Sequence, residues 1–225
     1  MKDRERLTCW IHHSMAVTGG YLGVYALLTR ADLFGNAQTC NLIYIITGLF
    51  GHDFTGVFLR IVGACIFFAG IALTVVLSKK TSCNLQYFSF TVNCITVLAL
   101  GFLPSDINQV IGLYPFFFAT AVQWNSFPGA YGFASSTIFS TNNLRQVANA
   151  ATEYWITHEE RQKQKAIFFA GTIVCYHAGV AFSVLAYRWF GIPSVWLCYV
   201  PLLISAVLLT MDRRLIRSPQ PVVCK

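Results

Sequence analysis

Charge is what this chain has least of. Lysine, arginine, aspartate and glutamate make up 11% of its 225 residues, and only nine residues are acidic. Hydrophobic residues account for 56%. A soluble domain carries roughly 25% charge and about 45–50% apolar residues. Too few charges are present to cover a conventional globular surface, which excludes a disordered chain and argues against a cytosolic enzyme. Catalytic signatures are missing too: no P-loop, no G-x-S-x-G, no H-E-x-x-H and no close carboxylate pair within an apolar run. No enzymatic activity, cofactor or metal is therefore expected. C-x-x-C is also absent. Cys65, Cys94, Cys175 and Cys198 fall inside apolar segments, where cysteine acts as a small hydrophobe.

The net charge of +7 is concentrated at Met1–Arg6, Glu159–Lys165 and Asp212–Lys225. A nucleic-acid footprint needs basic residues grouped on one folded face, so nucleic acid is not an expected partner. What lies between these segments is apolar. A spanning helix takes about 20 mostly apolar residues, and six segments qualify: Trp10–Thr29, Val57–Leu77, Cys83–Leu103, Ile107–Trp124, Ala166–Tyr187 and Ile192–Thr210. Their only formal charge is Arg60, near enough to an end to snorkel to the headgroups. The alternation of a membrane β-barrel is lacking. The sequence predicts an all-α polytopic transmembrane bundle, one integral membrane domain over 1–225 with a cytoplasmic tail at 213–225. The first apolar run reads as a retained helix rather than a signal peptide, because Asp32, Leu33 and Phe34 follow it instead of a small-x-small cleavage site. His12 and His13, at its start, are expected at the interface.

Lysine and arginine set the orientation. With both termini in the cytoplasm, only Arg30, Arg60 and Arg188 lie outside. The expected location is the bacterial plasma (inner) membrane, multi-pass, in contact with the lipid bilayer. Small residues along the second span (Gly63, Ala64, Ala69, Gly70, Ala72) permit close helix approach, within the bundle or in a homodimer.

Two segments are left over, Asp32–Gly56 and Ser126–Lys165, and each carries a T-x-N-L string: Thr39-Cys40-Asn41-Leu42 and Thr141-Asn142-Asn143-Leu144. The order span, T-x-N-L segment, span, span is written twice, which suggests duplicated halves at 7–103 and 106–212. Neither segment suits a full crossing. Thr137–Trp155 is too polar to face lipid, and the 12 residues of Thr39–Phe50 reach only about 18 Å as a helix. Two broken or re-entrant segments leave three spans per half, and an odd number inverts the second half. That plan recurs in transporters.

The stretch from Gly20 through Asn41, paired with Val122-Gln123-Trp124-Asn125 through Leu144, resembles the YoaK family of bacterial membrane proteins of unknown function. Cys40 and Asn142 stand where that family usually has glycine, and Gly23 near where it often has an acidic residue. The resemblance implies a membrane protein and carries no activity with it.

Helices beginning near Thr39 and Thr141 would bring their positive ends into the protein interior. Asn36, Gln38, Thr39 and Asn41 from one half would then line a polar substrate site or pore with Thr141, Asn142 and Asn143 from the other. The plainer alternative is that these amides satisfy irregular backbone buried at membrane depth. Gln123 and Asn125 end the fourth span, either as site lining or as helix–helix hydrogen bonds. Arg145, Asn149 and Glu153 recur every four residues on one helical face, where Arg145 can hold an anion. His177 and Glu153 are candidates for a proton relay, and Asn93 sits midway along the third span. A site of amides and hydroxyls suits a small neutral or anionic solute, so the expected function is that of a transporter or channel-like permease. The alternative is a non-transporting assembly or sensory partner acting through the 152–165 loop and the basic tail.

Overall fold

The computed structural model describes residues 2–30, 36, 38–104 and 106–217; the side chains of residue 2 and of 215–217 are not described. Asp32, Leu33 and Phe34, and residues 218–225 of the expected tail, lie outside the described residues. Among those described, nine α-helices dominate: α1 Lys2–Thr29, α2 Gln38–Phe50, α3 Phe54–Lys80, α4 Leu85–Leu100, α5 Gln109–Gly112, α6 Tyr114–Ser126, α7 Thr141–Thr157, α8 Glu160–Phe190 and α9 Tyr199–Arg217. A 3-10 stretch, Ile192–Cys198, leads into α9. Three segments are long and apolar enough to cross a membrane: Phe54–Lys80, Glu160–Phe190 and Ile192–Arg214. Helices α2 and α4 are apolar but shorter.

Local chemistry explains the breaks. Asp53 starts α3 by accepting from the Gly56 N–H at 2.9 Å, and Asn84 starts α4 by accepting from Gln86 and Tyr87 at 3.0 and 3.3 Å. Such caps satisfy the first-turn N–H groups that a helix leaves orphaned. The expected fourth span is interrupted at Leu113, where Pro115 opens α6 without a backbone N–H to bond backwards. α2 and α7 each turn into the next long helix through a left-handed histidine, His52 at φ 58° and His158 at φ 55°. Each histidine is followed by an acid, Asp53 or Glu159.

The lengthwise packing is reciprocal. α1 lies against α8 and α9, while α6 lies against α3 and α4; α2 folds back on α3, and α7 on α8. α1 is the central helix, with Ile11, Met15, Tyr21, Leu22 and Tyr25 buried. Its crossing with α8 is closed by two glycines. A Cβ on Gly20 would strike the Tyr176 carbonyl, and one on Gly179 the Val17 carbonyl. Backbones that approach so closely exchange dispersion contacts that side chains would block, the means by which helices associate without a hydrophobic drive in lipid. Gly63 and Gly70 do the same inside the bundle, against Phe117 and against Ala121 with Phe118. The outward faces of α2 and α3 are apolar and exposed, with Phe50, Phe54, Phe58 and Phe68 among their largest side chains. Arg60 lays its guanidinium over the Tyr44 ring, 4.5 Å from the centroid.

Between α6 and α7 the chain forms a two-stranded hairpin, Gly129–Ala130 with Phe133–Ala134. Its turn residues, Tyr131 at φ 56° and Gly132 at φ 77°, both have the left-handed backbone that such tight turns need. From the hairpin, a strap at 135–140 passes beneath the bundle surface, with Ser135, Ser136, Thr137 and Ile138 buried.

Candidate functional site

The residues singled out in the sequence separate into two groups. The first is a buried lock around the strap. Asn36 is fully buried and donates from Nδ2 to the Gly19 carbonyl at 3.1 Å, the Ile138 carbonyl at 3.0 Å and the Tyr176 hydroxyl at 3.4 Å. Gln123 donates to the Met15 carbonyl at 2.9 Å and to Thr137 Oγ1 at 3.0 Å. Asn143 donates to the Ser136 and Phe139 carbonyls at 2.8 and 3.0 Å, and accepts from Ser135 Oγ at 3.1 Å. These amides replace the ladder partners that an extended strap lacks, since buried unpaired backbone is costly. A tautomer follows from the chain of bonds. Because Asn143 Oδ1 takes the Ser135 proton, His12 Nε2, 3.1 Å from Ser135 Oγ, must be the donor to that hydroxyl. His12 is 1% exposed, covered where the strap bonds it through Ser135.

The second group borders a cleft of about 680 Å³. Gln38 and Thr39, from the first turn of α2, line one side; Thr141, Asn142 and Arg145, from the start of α7, line the other. The remaining wall is apolar: Leu42, Phe67, Trp124 and Phe139. Phe67 is the middle residue of the 27-residue α3. The Trp124 ring meets Phe139 edge-on at 4.8 Å and lies 6.4 Å from Phe67. Ser140, in the capping position of α7, makes no side-chain cap bond, and its hydroxyl is buried without a partner.

Both T-x-N-L strings thus sit at helix starts, and their first residues face one cleft. The third residues of the strings, Asn41 and Asn143, point elsewhere. Asn41 is buried beneath α2, donating to Gln38 Oε1 at 2.9 Å and to the Arg60 carbonyl at 3.0 Å. Asn125 bonds Thr74 Oγ1 at 2.6 Å, joining α6 to α3. Asn93 bonds back to the Ser89 carbonyl at 2.9 Å. Asn149 and Glu153 lie exposed along α7 beyond the cleft. His177 is on the exposed side of α8, its Nδ1 2.9 Å from the Ile173 carbonyl. Neither His177 nor Glu153 borders the cleft.

The aromatic wall escaped a reading that searched for polar groups, although Trp124 and Phe139 closely precede Asn125 and Thr141. Ser135 and His12 escaped it because their link spans 123 residues. Among the described residues no group of three His, Cys, Asp or Glu is placed to hold a metal. The seven described cysteines are free thiols.

An all-α bundle with three helices apolar and long enough to span, and lipid-type outer faces, defines an integral membrane protein. Residues 11–208 match the family described as protein of unknown function DUF1275, and the chain belongs to that family, as its resemblance to the YoaK proteins implied. Neither a curated protein nor a solved structure matches the chain.

Proposed function

We propose that the protein is a transporter or channel-like permease of the bacterial inner membrane, moving a small neutral or anionic solute. The observation that carries this reading is the cleft, lined from both sides by the starts of two short helices at the mid-height of an apolar spanning helix. Paired interrupted helices around a midplane site are a transporter plan. In this reading α2 and α7 are equivalent re-entrant helices in two inverted halves with six crossings. The reciprocal packing of α1 with α8 and α9, and of α6 with α3 and α4, supports the duplication, as does the His-acid turn that ends both short helices. Purified protein in liposomes should take up radiolabelled solute in a saturable way, with Thr39→Ala and Thr141→Ala reducing the rate. Failure to move or bind any candidate solute sinks the reading. The inverted arrangement requires a tag at Lys80–Ser82 to be cytoplasmic; external labelling there rejects it.

A second reading draws on Trp155 and Ile156, which stand 78% and 67% exposed at the end of α7 beside Glu153. They suit an assembly or sensory partner docking on the 152–165 segment. Charge reversal across Glu159, Glu160 and Arg161 should then abolish function, while the two threonine variants leave it intact.

A further inference from the structure

We infer that the cleft takes an organic monoanion with a ring-sized apolar body, a carboxylate of aromatic-acid shape; the inference rests on the cleft being the solute site. Charge comes first. Among the described residues Arg145 is the only charged side chain in the lining, and no acid accompanies it. A cation would meet repulsion and no counter-charge. A dianion would keep one charge uncompensated beside an aromatic wall, where unpaired charge is costly.

The hydrogen-bonding sense of the lining points the same way. Asn41 Nδ2 reaches both the Arg60 carbonyl and Gln38 Oε1, so the Gln38 amide is oriented by a donor and its Oε1 is taken. Gln38 Nε2 is left over, buried and without a partner. On the other side, Asn142 Oδ1 accepts from Arg145 Nη2 at 2.9 Å. Arg145 offers N–H groups alone, Gln38 Nε2 lacks a partner, and the Thr39 and Thr141 hydroxyls at the margin can donate as well. A carboxylate, which only accepts at neutral pH, suits such donors.

Size supplies the third element. Chloride or phosphate would leave the faces of Trp124, Phe67 and Phe139 wet in a cleft of about 680 Å³, within the range of small-molecule sites. A planar apolar body covers them, with the carboxylate set against Arg145.

The test uses full-length protein in detergent and four probes of one size and different charge: benzoate, benzyl alcohol, benzylamine and phthalate, with chloride and phosphate as competitors. Saturable binding is read by equilibrium dialysis. Benzoate should bind about tenfold or more tightly than the other three, because hydrogen bonds to a charged group each contribute more than neutral ones. Arg145→Gln should bring the benzoate-to-benzyl alcohol preference close to one, with Arg145→Lys restoring part of it, while size-exclusion profiles stay those of the parent. Equal or tighter binding of a neutral, cationic or dianionic probe that Trp124→Ala abolishes would overturn the ligand class and leave the cleft as the site. Full displacement of benzoate by chloride or phosphate would likewise overturn it. If no probe binds saturably, or binding survives both Trp124→Ala and Arg145→Gln, the cleft itself is the wrong site.

Discussion

The lock and the cleft are built from the same residue types and lie on either side of the strap, yet they do opposite work. In the lock, Asn36, Gln123 and Asn143 spend their amide donors on carbonyls and hydroxyls of the strap and α1. In the cleft wall, Gln38 Oε1 and Asn142 Oδ1 each accept one bond, and Gln38 Nε2 is buried without a partner. Buried amides are costly wherever they sit. Where they close on their own protein they hold irregular backbone in place. Where they leave donors open toward a cavity, they create a demand that a solute can meet.

The sharpest way to break this distinction is Asn143→Leu. It strands the carbonyls of Ser136 and Phe139 and the hydroxyl of Ser135, and buried unsatisfied groups cost about 1–3 kcal/mol each. We expect a loss of about 3 kcal/mol or more, read as a large fall in the thermal midpoint in detergent; a midpoint within a degree of the parent would show that the strap needs no lock. Gln123→Leu should cost less, about 1–2 kcal/mol, since only two bonds are lost and helix–helix bonds in lipid are modest. A result larger than that of Asn143→Leu would reverse the order of importance.

On the cleft side stability should barely move. Arg145→Gln, at an exposed position, is expected to stay within about 0.5 kcal/mol in unfolding while solute uptake falls about tenfold. Unfolding by several kcal/mol would place Arg145 with the lock instead. The smallest effects belong to Thr39→Ala and Thr141→Ala, exposed at the cleft margin: no change in midpoint and a few-fold drop in uptake. Unaltered uptake in both would favour the docking reading of α7.

Much of this contrast was legible before folding was considered. Helices start at the two T-x-N-L strings, at Gln38 and Thr141, although no side-chain cap opens α7, and three of the six apolar runs lie in helices or helical segments long enough to span. Which asparagines and glutamines bind their own protein and which border the cleft was not legible. Asn36 finds its three acceptors 17, 102 and 140 residues away, and no local pattern encodes such distances. Asn41 and Asn143 hold equivalent places in the two strings and both are buried, yet one bonds the Arg60 carbonyl of α3 and the other the Ser136 carbonyl of the strap. The break at Leu113 was signalled by Pro115, but the apolar run around it concealed the stop.

Composition by itself determined the solvent of this protein: a chain with so little charge and long apolar runs is stable only where water is excluded. It also determined where helices begin, because caps and turn histidines act within a few residues. Only the tertiary structure decided which polar groups are spent and which remain open. That choice depends on close approach of distant segments: at Gly19 of α1 a Cβ would strike the Thr137 carbonyl, so the strap can lie against α1 within reach of Asn36 and Gln123. At the start of α2 no acceptor among the described residues reaches Gln38 Nε2, and at the start of α7 Arg145 borders the cleft.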